Sequence, residues 1–92
     1  MHESSTITRS ATALTEQLDS ELLVLDPASD RFVRLNTSAG ALWEALERPR
    51  SLDELAGELS SRFGLDRERA LADARAFADA LSERDLVSVS PA

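Results

Sequence analysis

Histidine and cysteine carry most acid–base, nucleophilic and metal chemistry near neutral pH. This chain has one histidine and no cysteine. The histidine is His2, beside Met1, and nothing in its sequence neighbourhood tunes or positions it. A Ser–His–Asp or Cys–His arrangement therefore has no placed base, and zinc sites of the usual kinds have no ligands. Seventeen Asp and Glu remain. Two carboxylates work as general acid and base only in a dry pocket that splits their pKa values. Asp53, Glu54, Glu58, Asp66 and Asp73 fall instead at helix caps and on polar helix faces, which reads as solvated surface. Gly40, Gly57 and Gly64 stand apart and form no phosphate-binding loop. The sequence reads as a non-enzyme with no metal site and no cofactor.

Recognition is the remaining class of function, and charge narrows the partner. The net charge is −7, whereas nucleic-acid binding draws on a basic surface. Nucleic acid is therefore an unfavourable partner, and a basic peptide suits the overall charge. No apolar run approaches a membrane span and no signal-type apolar segment opens the chain. The expected location is the cytoplasm, away from any membrane. The 92 residues suit one domain, 1–92, with its core over about 20–89 and a flexible lead-in at 1–5.

The elements that would position a binding surface fall into two halves. Thr6 to Leu14 is a Thr-rich strand candidate, and Glu21 to Leu25 is an almost wholly apolar one. Asp26-Pro27-Ala28-Ser29-Asp30 supplies turn chemistry. Arg31-Phe32-Val33-Arg34-Leu35 then alternates as a half-buried strand does, so the second and third strands form an antiparallel hairpin. Asn36 and Thr37 are N-cap residues for a first helix, whose stripe is Ala39, Leu42, Trp43 and Leu46. Pro49 stops it. Ser51-Leu52-Asp53-Glu54 is a capping box for a second helix with stripe Leu52, Leu55, Ala56, Leu59 and Phe63. Gly64 suits its left-handed end. Asp66 caps a third helix, about 67–84, and Leu86 to Val89 is a short extended tail. The fold class is α+β, winged helix-turn-helix-like: a three-stranded antiparallel sheet followed by three helices.

Trp43, Phe63 and Phe77 read as core. Phe32 shares a strand face with Arg34, opposite Val33 and Leu35, so it is either partly exposed or covers something local. A three-strand meander leaves the edge at Arg31–Leu35 unpaired. Arg31 and Arg34 can protect that edge from aggregation, or the edge can accept an added peptide strand.

The ordered set Leu23-Val24-Leu25-Asp26, Arg31-Phe32-Val33-Arg34-Leu35-Asn36 and Ala39-Gly40-Ala41-Leu42-Trp43, with Asp73-Ala74, Phe77, Leu81 and Leu86-Val87 further on, resembles the PqqD-like family of leader-recognition domains in ribosomal peptide natural-product pathways. The resemblance covers about residues 20–89. It implies that a precursor's leader peptide docks as a strand on Arg31, Phe32, Val33, Arg34 and Leu35, in a cleft against the third helix. On that helix Asp73 would attract a basic leader residue, with Ala76, Phe77 and Ala80 as the floor. It is most similar to the free-standing leader-binding subunit of a split lasso-peptide system, which implies a separate leader peptidase as partner and a cyclase as a further one. Family leaders carry a Tyr and a Pro flanked by basic residues. The chain departs from the family pattern at Pro49, Asp30 and Asp85, where the family commonly has Gly. The alternative from the same helical outline is a winged-helix DNA-binding regulator, which the acidic second helix disfavours.

Overall fold

The computed structural model describes residues 1–91. The chain forms β1 (Thr6–Arg9), β2 (Leu14–Gln17), β3 (Leu22–Asp26), β4 (Arg31–Leu35), α1 (Thr37–Ala45), β5 (Arg50–Ser51), α2 (Leu52–Phe63), α3 (Arg67–Glu83) and β6 (Val87–Ser90). β2, β3 and β4 make an antiparallel meander in that order. Its hairpin register pairs Leu22 with Leu35 and Leu25 with Phe32. Three helices follow, as expected of this α+β class.

The first strand differs from the sequence reading. Thr6 to Leu14 is not one strand of the meander. It breaks at Ser10–Ala13, and β1 joins a second antiparallel sheet, ordered β5-β1-β6. The expected extended tail is that sheet's β6, paired from Thr6–Ser90 to Arg9–Val87. Burial explains the break. Ile7 is fully buried, whereas β2 is exposed along its whole length. Its leading apolar residue, Leu14, therefore marks a separate strand and not the end of the first.

The helix ends follow the local chemistry. Asn36 Oδ1 accepts from the Ala39 amide at 2.9 Å and starts α1. Ser51 Oγ accepts from the Glu54 amide at 3.0 Å, while Glu54 Oε1 accepts from the Ser51 amide at 2.9 Å, completing the capping box. Asp66 caps α3 through the Arg69 amide. Gly64 closes α2 at φ 68°. Among the described residues, the two non-glycine ones with positive φ are Asp30 (57°) and Asp85 (58°), two of the three departures from the family pattern.

One core joins all layers: Ile7, Val24, Leu42, Trp43, Leu46, Leu52, Leu55, Leu59, Leu81 and Leu86 are each at most 2% exposed. Each contributes roughly 1.5–3 kcal/mol by burial. Gly40 lets α1 approach the meander, since a Cβ there would lie 3.2 Å from Leu22 Cδ1. Phe77 is core, but Phe63 is 40% exposed at the end of α2. The helix simply ends before its last stripe residue meets a partner.

Residues 1–5 are tied to α2. The Leu52 amide donates to Ser5 O at 3.0 Å and the Asp53 amide to Glu3 O at 2.8 Å. Glu3 also meets the Arg67 guanidinium at 2.7 Å. His2 does have ordered surroundings, because its Nδ1 accepts from the Ser4 amide at 3.1 Å. The partners of His2 itself, Ser4 and Ser5, are local, so its contacts build a turn and not a catalytic constellation.

Candidate functional site

β4 is bonded on one side only, to β3, and its other edge is open. Strand alternation sends Arg31, Val33 and Leu35 to the face that carries buried Leu22 and Val24, towards the helices. Phe32 and Arg34 go to the opposite, outer face. There Leu14, Leu25 and Phe32 stand in one cross-strand row, with Leu14 56% and Phe32 66% exposed. Phe32 is thus exposed, the first of the two outcomes open from sequence.

α3 packs mainly on α2 and β6, while β4 packs on β3 and α1. A cleft along α3 holds two cavities, one beside β4 and one beside the start of α1. One, of about 470 Å³, is lined by Asp30 to Arg34 and by Arg84 at the end of α3. The other, of about 440 Å³, is lined by Asn36, Ser38, Ala39, Leu42 and Leu59 on one side and by Arg69, Asp73, Ala76 and Phe77 on the other.

The structure places the expected α3 residues along one side of the helix. Asp73, Ala76 and Phe77 line one cavity together, and half-buried Ala80 lies between Phe77 and Arg84 along the helix. The residues 69, 73, 76, 80 and 84 recur at helical spacing, so one face of α3 forms the wall. Ala76 is exposed and Ala80 half-buried. Small side chains here leave room beside the strand. Phe32 and Arg34 belong to the edge strand but not to the inner wall.

Polar partners change the electrostatic reading. The Asp73 carboxylate accepts from Arg69 Nε at 3.2 and 3.3 Å, so part of its charge is answered within the helix. Arg34 lies 3.8 Å from Glu21. Arg84 Nη1 donates to Ala80 O at 3.1 Å. Arg84 and Arg69 are not among the site residues expected from sequence, and Asn36 is expected there only as a helix cap. Arg84 and Arg69 were legible in principle, since they continue the Asp73–Ala76–Ala80 spacing in both directions.

The turn that fixes β4 is anchored by Asp26. Its carboxylate accepts from Ser10 Oγ and Thr12 Oγ1, each at 2.7 Å, and from the Ala28 amide at 3.0 Å. The Ser10 hydroxyl first, then Thr12, holds this carboxyl below the ordinary Asp range. No helix among the described residues is long and apolar enough to cross a membrane.

Two solved structures share this fold. One, described as "TbiB1 in Complex with the TbiA(beta) Leader Peptide", is 21% identical, with 88% of this chain and 94% of that chain covered and a TM-score of 0.78. The other, "Lasso peptide synthetase B1 complexed with the leader peptide", is 23% identical, with 89% and 96% covered and a TM-score of 0.75. No curated protein matches the chain. The family described as coenzyme PQQ synthesis protein D (PqqD) matches residues 21–87. That span runs from the residue before β3 to the first residue of β6 and takes in the whole cleft, and the chain belongs to the PqqD family.

Proposed function

We propose that this chain is a non-catalytic recognition domain that binds the leader segment of a ribosomally made precursor peptide. The leader adds as a strand to the open edge of β4, in the cleft against α3. The chain then delivers it to a separate leader peptidase in cytoplasmic lasso-peptide biosynthesis. The observation that carries this reading is the unpaired β4 edge beside a cleft whose other side is the Asp73–Ala76–Ala80 face of α3. Both structural neighbours are described as bound to leader peptides, which supports the same reading.

Strand addition of about five residues gives a net of roughly 0.5–1.5 kcal/mol per hydrogen bond. Two apolar anchors add roughly 1.5–3 kcal/mol each. Ordering the leader costs roughly 2–5 kcal/mol, and association costs several more. The surplus corresponds to a Kd on the order of micromolar. That is tight enough for capture and weak enough for release.

The test is a fluorescence-polarisation titration with labelled synthetic leader peptides of lasso-peptide precursors, followed by amide hydrogen exchange. Saturable binding with new protection at Arg31–Leu35 is the expected result. Absence of binding, or protection confined to other elements, would overturn the assignment.

A further inference from the structure

We infer that the β4 end of the cleft selects an acidic side chain in the bound peptide, held between Arg31 and Arg84; this rests on the reading of the cleft as a peptide groove. The chain as a whole is acidic, with net charge −7. Its cleft is not. The cavity at the β4 end is lined by Arg31, Arg34 and Arg84 against a single acid, Asp30.

The free charge can be traced residue by residue. Arg34 is near Glu21 and projects to the outer face. Arg31 pairs across the hairpin with Asp26 in register. Asp26 keeps its charge, but its carboxylate is turned to Ser10, Thr12 and the Ala28 amide. Arg31 makes no ion pair among the described residues and is exposed. Arg84 is half-buried, and its one hydrogen bond among the described residues goes to Ala80 O. That bond folds the side chain back along the last turn of α3 and leaves the other guanidinium N–H groups for a ligand.

Edge protection accounts for Arg31 and Arg34 but not for Arg84. An arginine on an edge strand blocks sheet-to-sheet pairing. Arg84 comes from the opposite wall, where there is no edge to guard. An added strand places alternate side chains on the inner face, between Arg31 and α3. A carboxylate there meets two guanidinium groups, which bind carboxylates through paired N–H donors. The overall charge favours a basic peptide, so the site would accept a segment of mixed charge, with its acid at one fixed position.

The test is selection from a random 16-residue peptide library by mRNA display on the immobilised full chain, with amide exchange on the winners. Peptides that protect β4 are expected to share an Asp or Glu at one position. Replacing it with Arg should weaken binding by roughly tenfold, from two exposed pairs of about 2- to 5-fold each. The Arg31→Glu/Arg84→Glu chain should reverse the preference, and a Gln pair at the same positions should abolish it with an unchanged melting curve. Winners that protect β4 but show no acidic position, or whose affinity moves less than about twofold in both double variants, overturn this inference alone. Winners that leave β4 unprotected overturn the groove assignment and this inference with it.

Discussion

The Arg9 guanidinium lies over the Trp43 ring, 4.4 Å from its centre, and its Nε donates to the Trp43 carbonyl at 3.1 Å. Trp43 is fully buried, and its Nε1 donates to Thr15 Oγ1 at 2.8 Å. One side chain of α1 therefore joins β1 of one sheet to β2 of the other. Burial pushes the Arg9 pKa down, with Glu47 and then Glu44 opposing. Trp43→Ala is expected to cost about 3–5 kcal/mol. Arg9→Ala should cost about 1–2 kcal/mol through the lost cation–π contact and stem packing. Urea unfolding followed by far-ultraviolet circular dichroism measures both, and an Arg9 variant as stable as the parent would show that the stacking adds nothing.

Acid should loosen the turn that sets β4. The folded Asp26 pKa lies below its unfolded value of about 3.9. A depressed carboxylate contributes stability that is fully present above the unfolded pKa and is lost as pH falls through the folded one. Glu54 shifts in the same direction, chiefly because the Ser51 amide donates to it. The stability curve should therefore be level above about pH 5 and decline below about pH 4. Asp26→Asn should be less stable than the parent at pH 7, with the gap narrowing below about pH 4. Trp43 fluorescence during urea titrations from pH 3 to 7 reads this directly, and a gap independent of pH would remove Asp26 from the account.

The parts of the fold written in local chemistry were readable in advance. Asn36, Ser51 and Asp66 announce helix starts because a cap needs only residues three positions away. The β3–β4 hairpin and the alternation of Arg31–Leu35 are equally local. The division of Thr6 to Leu14 was not readable. Which sheet Ile7 enters depends on β6, some eighty residues on, and no periodicity within four Thr-rich residues encodes that. The site divides the same way. Asp73, Ala76 and Ala80 share a helix face whatever the tertiary fold. That Asp26 turns to Ser10 and Thr12, with Arg31 in no ion pair among the described residues, depends on a contact between two turns and could come only from the folded chain.

Asp85 tests backbone strain apart from side-chain contacts. Its φ of 58° places it in the left-handed region between α3 and β6. Asp occupies that region more easily than β-branched residues, which clash with their own backbone. Asp85→Gly should leave stability within about 1 kcal/mol, since relief of strain and added unfolded-state freedom oppose one another. Asp85→Val should destabilise by roughly 1–3 kcal/mol. Equal melting temperatures for the Gly and Val variants would show that the turn relaxes to a negative φ.

Filling the cleft should separate peptide binding from stability. Ala76 is exposed on α3, outside the core, and lines the cavity shared with Asn36, Ser38 and Phe77. A large side chain there projects into that cavity and occupies space an added strand requires. Ala76→Trp should leave urea unfolding within about 0.5 kcal/mol of the parent, as surface changes usually do. Leader binding should weaken by roughly 5- to 100-fold, from overpacking worth about 1–3 kcal/mol. Phe32→Ala on the outer face is the paired measurement, and it too should leave the fold intact because its side chain is largely in solvent. If Ala76→Trp binds leader as tightly as the parent in fluorescence polarisation, the peptide does not lie between β4 and α3. A loss confined to Phe32→Ala would then move the contact to the Leu14–Leu25–Phe32 row.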